Sequence, residues 1–264
     1  MSLVAKICIV FFLVLCSTKT FSKDLYILIV GQSIPLNCHH HLFETSIGVS
    51  KIELLDDKIP ESSQFLWADC HKDSTWILLR EKIIDEYHAK SVTFIPFGLD
   101  LTSIDDLLSS GESFNKLSNL IKFSKQKSIK FDYALWDQGS AYGVPDHNKN
   151  LIKLNKILKL ISINVSIEKW LISQPSTCGN LSHENIQKIS NLATYNYIFR
   201  RFPGPKKDNL GSEFRHSNCH LNFRGQEKMA DLWLQSMILA DRVNNSIQNE
   251  TLIKKFKGIF NNQN

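Results

Sequence analysis

The sequence predicts an α/β fold in which a five-stranded, mostly parallel sheet lies between two layers of helices. Two observations predict it. Short β-rich runs alternate with longer segments of helical periodicity along most of the chain. The first run, residues 25–30, is apolar throughout and ends at Gly31, as is typical of a strand buried on both faces. Such alternation implies right-handed βαβ crossovers, and therefore a three-layer α/β/α sandwich.

The predicted elements follow one another in a regular order. Strands are expected at residues 25–30, 91–95, 131–136, 167–173 and 197–202. Helices are expected at residues 75–87, 103–125 with a break near Gly111, 148–161, 183–194 and 223–243. The tail after Asn244, rich in Asn and Lys, is expected to fray.

The first 22 residues have the layout of a signal peptide. Lys6 precedes an unbroken apolar run over residues 7–15, and small and polar residues follow as far as Ser22. The run is about half of the roughly 20 residues that span a bilayer. Leu15 before Cys16 disfavours a lipoprotein, since such sites usually have a small residue there. Residues 23–264 are therefore expected to form one soluble domain, periplasmic or secreted, with no stable membrane insertion.

Net charge and cysteine content indicate which partners and which metal or disulfide sites to expect. Loss of Lys6 and Lys19 with the signal segment lowers the formal net charge from +5 to +3, which is too weak to indicate a nucleic-acid partner. Four cysteines then remain, an even number that favours two disulfides over a metal site in an oxidising compartment. The expected pairs are Cys38 with Cys70 and Cys178 with Cys219.

The three adjacent histidines at residues 39–41 also give little support to a metal site, because neighbours on one loop seldom converge on one ion. No metal ion and no other cofactor is expected.

Polar residues follow the ends of the predicted strands, where the carboxyl ends of a parallel sheet form one edge. Ser33 follows the first strand, Gln138 follows the third, and His220 precedes the last helix. A serine hydroxyl needs a neighbouring imidazole to take its proton and donors to hold the oxyanion that forms on the carbonyl. Ser33 is therefore the candidate nucleophile and His220 the candidate general base, which then acts as acid to the leaving alcohol.

The oxyanion hole has three candidate donors. They are the backbone N–H of Ser33, a backbone N–H in the turn at residues 98–101, for which Asp100 is the candidate, and the side-chain amide of Gln138. Gln138 is also open to a structural interpretation, as a buried amide that ties strand ends together. Ser33 also has a structural interpretation, as a turn residue after a strand.

Four segments, in order along the chain, carry a resemblance to a known family. Leu-Ile-Val-Gly-Gln-Ser at residues 28–33 resembles the first block of the SGNH hydrolases, in the branch of sialate O-acetylesterases and acetylxylan esterases. The turn at residues 95–104 is similar to its Gly-Gly-Thr-Ser-Ile turn, and Trp-Asp-Gln-Gly at residues 136–139 to its Trp-x-Gln-Gly-Glu block. Residues 215–221, with Gly225 and residues 229–233, resemble its closing Asp-x-x-His block. The resemblance implies a flavodoxin-like sheet and a metal-independent esterase that acts on an acetylated carbohydrate.

The sequence departs from the family pattern at three points. Ser217 stands where the triad acid is expected, which leaves a Ser-His dyad or an incomplete triad. Ser217 itself, Glu213 or Asp208 are the candidates for orienting His220. Asp100 and Leu101 replace the paired glycines of the second block, and Ser140 replaces the Glu of the third.

Two other functions stay open at this point. The lost acid and glycine pair also suit a degenerate esterase that only binds glycans. A lipase or thioesterase on the same fold would need a broad apolar cleft, which the polar residues Asn37 and 39–41 after the nucleophile disfavour.

Overall fold

One parallel sheet organises the described part of the molecule. The computed structural model describes residues 23–31, 75–98, 104–137, 147–174, 200–215 and 221–261. The strands are β1 (Asp24–Gly31), β2 (Ser91–Gly98), β3 (Lys130–Asp137), β4 (Ser166–Gln174) and β5 (Arg201–Lys206). Their order is β2-β1-β3-β4-β5, and every pair is parallel. The predicted fold class is confirmed.

Helices pack on both faces of the sheet. They are α1 (Thr75–Tyr87), α2 (Glu112–Gln126), α3 (His147–Asn164) and α4 (Phe223–Asn261). Buried apolar residues of α2 and α3 form one core with the sheet, and those of α1 and α4 form a second core on the opposite face. This arrangement gives the three layers that the sequence predicts. No helix in the described ranges is long and apolar enough to cross a membrane.

The central strand β1 is buried on both faces. Leu28 and Val30 point into the core formed with α2 and α3, and Ile27 and Ile29 into the core formed with α1 and α4. None of these four side chains is more than 1% exposed. An unbroken apolar run is what a strand between two helical layers requires, because successive side chains point to opposite faces.

The position of the last strand corrects the sequence prediction. A strand was expected at residues 197–202, but β5 runs from Arg201 to Lys206 and contains Pro203 and Pro205. β5 pairs only with β4 in the described sheet, and an edge strand tolerates prolines because one row of its backbone groups need not be paired. The predicted strand ends at residue 202, directly before the first of these prolines.

Two helix boundaries also differ from expectation. The break expected near Gly111 is confirmed, since Gly111 is extended and the helix begins at Glu112, but residues 104–111 form turns where a helical segment was expected. The last helix continues to Asn261 instead of ending at residue 243 and fraying. No proline follows Pro205, and helix elongation is cooperative once a helix has formed.

Several predictions lie outside the described residues. They concern the signal peptide at residues 1–22, the helix at residues 183–194, the histidines at residues 39–41, and both disulfide pairs, Cys38 with Cys70 and Cys178 with Cys219.

A polar cluster attaches α4 to the sheet. The hydroxyls of Tyr133 and Tyr87 donate to the carboxylate of Asp241 at 2.7 and 2.8 Å, and the ammonium of Lys169 lies 3.0 Å from it. Burial, together with the charge of Asp241, raises the pKa of both phenols far above the usual value. Burial lowers the pKa of Lys169, but the carboxylates of Glu168 and Asp241 outweigh it and hold that pKa above the ordinary value. The cluster is therefore stable with both phenols neutral and the ammonium charged.

This cluster predicts how stability changes at alkaline pH. The unfolded phenol ionises near pH 10, whereas the folded phenol keeps its proton to higher pH, so the stabilisation is complete below about pH 10 and is lost as the pH rises further. We expect Tyr133→Phe to lower the free energy of unfolding at pH 7 by about 1.5 to 3 kcal/mol, because it removes a hydrogen bond to a charged group. The same substitution should reduce the slope with which the free energy of unfolding declines above pH 10. Urea unfolding between pH 8 and pH 11 measures both effects, with Tyr26→Phe as the control outside the cluster. An unchanged alkaline slope in Tyr133→Phe would contradict the assignment.

Candidate active site

The sheet order places a topological switch point at the carboxyl ends of β1 and β3. The chain passes from β1 to β2 on one side and returns to β3 on the other, and ligands of open α/β sheets bind at this switch point. Gly31, the last residue of β1, lies in register with Gly98 of β2 and Asp137 of β3. The three segments predicted to carry the site therefore leave the sheet at the same level.

The candidate side chains themselves follow these strand ends in the sequence. Ser33 comes two residues after Gly31, Asp100 comes two residues after Gly98, and Gln138 follows Asp137 directly. All three lie outside the described residues, as do the other two candidates, Ser217 and His220. Their roles stay predictions, and the structure describes the elements to which they are attached.

The loop that contains His220 has a closed base. Arg215 and Leu221 form an antiparallel bridge on either side of residues 216–220. The side-chain amide of Asn222 donates to the carbonyl of Glu213 at 2.8 Å, and its backbone N–H donates to the carbonyl of Phe214 at 2.9 Å. Leu221 is buried in the core between the sheet, α1 and α4. The residue that directly follows His220 is therefore held in place.

Asn222 also caps α4, which begins at the next residue. Its side-chain oxygen accepts a hydrogen bond from the backbone N–H of Gly225 at 3.0 Å, which satisfies one of the unpaired donors of the first helical turn. The sequence analysis included Gly225 in the closing block but missed Asn222. An Asn directly before an apolar helical pattern is an N-cap signal, and it would have found this residue.

Gly225 is required by close packing. A Cβ at this position would overlap the carbonyl oxygen of Phe214 and would lie 3.0 Å from the Cβ of Leu221. The first turn of α4 therefore lies directly against the base of the loop, and only a residue without a side chain allows this.

A buried ion pair lies at the carboxyl end of β3. The ammonium of Lys207 lies 2.6 Å from Oδ1 of Asp137, and the hydroxyl of Ser173 donates to the same oxygen at 2.7 Å. The side chains of Lys207 and Asp137 are only 5% and 3% exposed. A buried charge is stable only when it is paired and hydrogen-bonded, as this carboxylate is.

Asp137 is part of the Trp-Asp-Gln-Gly segment singled out in the sequence, but neither it nor Lys207 and Ser173 was predicted to have a role. Lys207 lies in the sequence Lys-Lys-Asp, which has the appearance of a solvated charged turn. The burial of one of these lysines depends on how the turn at Lys207–Asn209 packs against β3 and β4, and local sequence does not encode that.

Two candidates for orienting His220 have a described backbone position, Asp208 in the turn Lys207–Asn209 and Glu213 in the turn Ser212–Phe214. Glu213 lies in the short turn Ser212–Phe214, is exposed, and folds back so that its carboxylate lies beside Gly211. The acid of a Ser-His-Asp triad is buried against its imidazole, whereas Glu213 is exposed, and its role stays a prediction. Within the described ranges, no three His, Cys, Asp or Glu side chains converge as metal ligands do.

Comparison with known proteins gives matches in structure alone. No family model matches the chain, and no curated protein matches its sequence significantly. A protein described as a GDSL-like lipase from Parabacteroides merdae matches with a TM-score of 0.55 and 11% identity, covering 82% of this chain and 97% of that one. The acetylxylan esterase Axe2 from Geobacillus stearothermophilus matches with a TM-score of 0.53 and 12% identity, covering 82% and 95%. The esterase EstA from Pseudoalteromonas sp., in a structure inhibited by monoethylphosphonate, matches with 0.50 and 13%, covering 81% and 97%.

This chain has the fold of the SGNH hydrolases. Because the identities are only 11 to 13%, the likeness establishes the fold and not the activity. In this SGNH fold the carboxyl ends of β1, β2 and β3 meet at one edge, and the anchored loop base at Arg215 and Leu221 follows β5.

The close packing at Gly225 predicts a local steric defect. We expect Gly225→Ala to lower the free energy of unfolding by about 1 to 3 kcal/mol, because the added methyl group forces the first turn of α4 away from Phe214. Gly211→Ala is the matched control, since its methyl group would meet only the flexible end of Glu213 and should change stability by less than about 0.5 kcal/mol. Chemical denaturation measures both. Equal stability of the two variants would show that α4 does not press on the loop base.

Proposed function

We propose that the chain is an exported serine esterase that removes O-acetyl groups from a carbohydrate. The observation that carries the proposal is the register of the strand ends, which aligns Gly31, Gly98 and Asp137 at the switch point of the sheet. The segments with the predicted nucleophile and the predicted oxyanion donors start from these three residues. Export is inferred from the signal-peptide layout of the first 22 residues.

Chain connectivity supports a common site. Two residues span at most about 7 Å, so the backbones of Ser33 and Asp100 start within that reach of Gly31 and Gly98, and Gln138 is bonded to Asp137. Neighbouring strands are about 4.8 Å apart. Chain connectivity therefore allows a nucleophile and two donors carried on these strand ends to converge on a single ester group.

In the proposed reaction, Ser33 Oγ attacks the acetyl carbonyl while His220 takes the hydroxyl proton. The oxyanion is held by the backbone N–H groups of Ser33 and Asp100 and by the amide of Gln138. His220 then gives its proton to the sugar oxygen, and the sugar leaves as an alcohol. A water molecule, deprotonated by His220, attacks the acetyl-serine, which releases acetate and restores the hydroxyl of Ser33.

A carbohydrate substrate is favoured over a lipid by the residues near the nucleophile. Asn37 and the histidines at 39–41 follow Ser33 closely in the sequence, and such polar side chains suit the hydroxyl groups of a sugar better than an acyl chain. Gly-Gln-Ser and Trp-Asp-Gln-Gly resemble the blocks of carbohydrate O-acetylesterases, and one structural neighbour is an acetylxylan esterase.

The second candidate function is glycan binding without turnover. It is favoured by Ser217 in place of the acid and by Asp100 and Leu101 in place of the glycine pair. A histidine without a carboxylate partner is a weaker base, and removal of an oxyanion donor typically costs about 3 to 4 kcal/mol of transition-state stabilisation.

Acetate release distinguishes the two functions. We expect the protein to release acetate from p-nitrophenyl acetate and from an acetylated xylan or sialic acid, and Ser33→Ala and His220→Ala to lower kcat by at least about 10³-fold. Ser91→Ala is the control, because this serine bonds to Asp24 at the opposite edge of the sheet and should retain full activity. Negligible release by both the unmodified protein and Ser33→Ala, with glycan binding intact in both, would reject the esterase in favour of the binding module.

A further inference from the structure

We propose that Lys207 is a positioning residue of this site, which holds the loop of His220 in place relative to the strand ends that lead to Ser33 and Gln138. The proposal rests on the proposed esterase, whose two catalytic groups lie on segments far apart in the sequence. Contacts between the two segments must therefore fix the distance between the two catalytic groups. Among the described residues, Lys207 lies at the centre of a polar connection between the two segments.

The first half of the connection is the ion pair with Asp137. Lys207 lies in the turn after β5, Asp137 is the last residue of β3, and Ser173 of β4 completes the cluster. The pair therefore joins three elements at the carboxyl edge of the sheet. Because both charges are almost fully buried, moving one away from the other would leave an uncompensated buried charge, which is strongly destabilising. The turn is consequently held firmly on the strand ends.

The second half of the connection runs from the backbone of Lys207 to the loop base. Its carbonyl oxygen accepts a hydrogen bond from Nη2 of Arg215 at 3.0 Å and another from the backbone N–H of Leu210 at 3.1 Å. Nε of Arg215 donates to the carbonyl of Leu210 at 3.3 Å. Arg215 in turn forms the bridge with Leu221 that closes residues 216–220. A displacement of Lys207 is thus transmitted to both residues that flank the His220 loop.

An ion pair suits a positioning role better than a purely stabilising one. Apolar residues of similar volume are often as stabilising as a buried pair, but they lack its directional contacts. Ser173 of β4 fixes the orientation of the Asp137 carboxylate, and the contact of Lys207 with the same oxygen then defines where the turn lies, whereas apolar packing would tolerate small shifts. A misplacement of about 1 Å between catalytic groups is enough to cost about 10²-fold in rate.

A second, partly buried ion pair provides a control. Lys169 lies 3.0 Å from Asp241 and is 10% exposed, and the pair joins β4 to α4. Lys169 lies in register with Tyr133 of β3, several residues before the carboxyl end of the sheet. Lys169→Met therefore removes the same kind of interaction from the same sheet without touching the connection to the loop.

The experiment compares Lys207→Met with Lys169→Met in the full chain. We expect Lys207→Met to lower kcat for p-nitrophenyl acetate about 10- to 100-fold with KM within about threefold, and amide hydrogen exchange over residues 210–222 to accelerate. Lys169→Met should lower the thermal midpoint but keep kcat within about twofold and leave exchange over residues 210–222 unchanged. Lys207→Arg, which keeps the charge and should fold even if Lys207→Met does not, is expected to recover part of kcat and of the exchange protection.

The outcomes separate this proposal from the proposed function. If the unmodified protein shows turnover that depends on Ser33, but Lys207→Met and Lys207→Arg keep its kcat and its exchange rates over residues 210–222, the positioning role is rejected and the esterase stands. If no turnover depends on Ser33, the esterase is rejected. The exchange rates then still decide whether Lys207 holds the loop.

Discussion

The register of β1 between β2 and β3 is the constraint on which the rest of the structure depends. β1 is buried on both faces, and its last residue, Gly31, is aligned with Gly98 on one side and with Asp137 on the other. A slip of one residue would exchange the side chains between the two cores and would also offset the three strand ends. The two helical layers thus specify the edge at which the predicted nucleophile and oxyanion donors begin.

Two polar clusters link the rest of the chain to this sheet, and their structural roles differ. Asp241 binds α4 to the sheet through Tyr133 and Lys169 and to α1 through Tyr87, and so stabilises the second core. The cluster around Asp137 lies at the edge where the strands end, and it holds the turn that leads to the His220 loop. The first cluster supports the fold, whereas the second acts on the geometry of the site.

Sequence patterns predicted the sheet well wherever burial is continuous. β1 and β3 were each predicted to within one residue at either end, and α1 with its exact bounds, because apolar runs and helical periodicity report burial directly. β5 was misplaced because prolines in an edge strand resemble a strand end. The role of Lys207 was not predictable, since burial of a charged side chain depends on a partner 70 residues away in the chain. The catalytic roles of Ser33 and His220 stay sequence predictions, supported by the strand ends from which their segments start.

Covalent labelling with a fluorophosphonate tests the central claim, a reactive serine at the carboxyl edge of β1, most directly. Such a reagent phosphonylates a serine only when a neighbouring base and oxyanion donors activate it. The account predicts a single adduct by intact mass, located on Ser33 by peptide mapping, absent in Ser33→Ala and formed far more slowly in His220→Ala. No adduct on the folded protein, or an adduct on another residue that persists in Ser33→Ala, would contradict it.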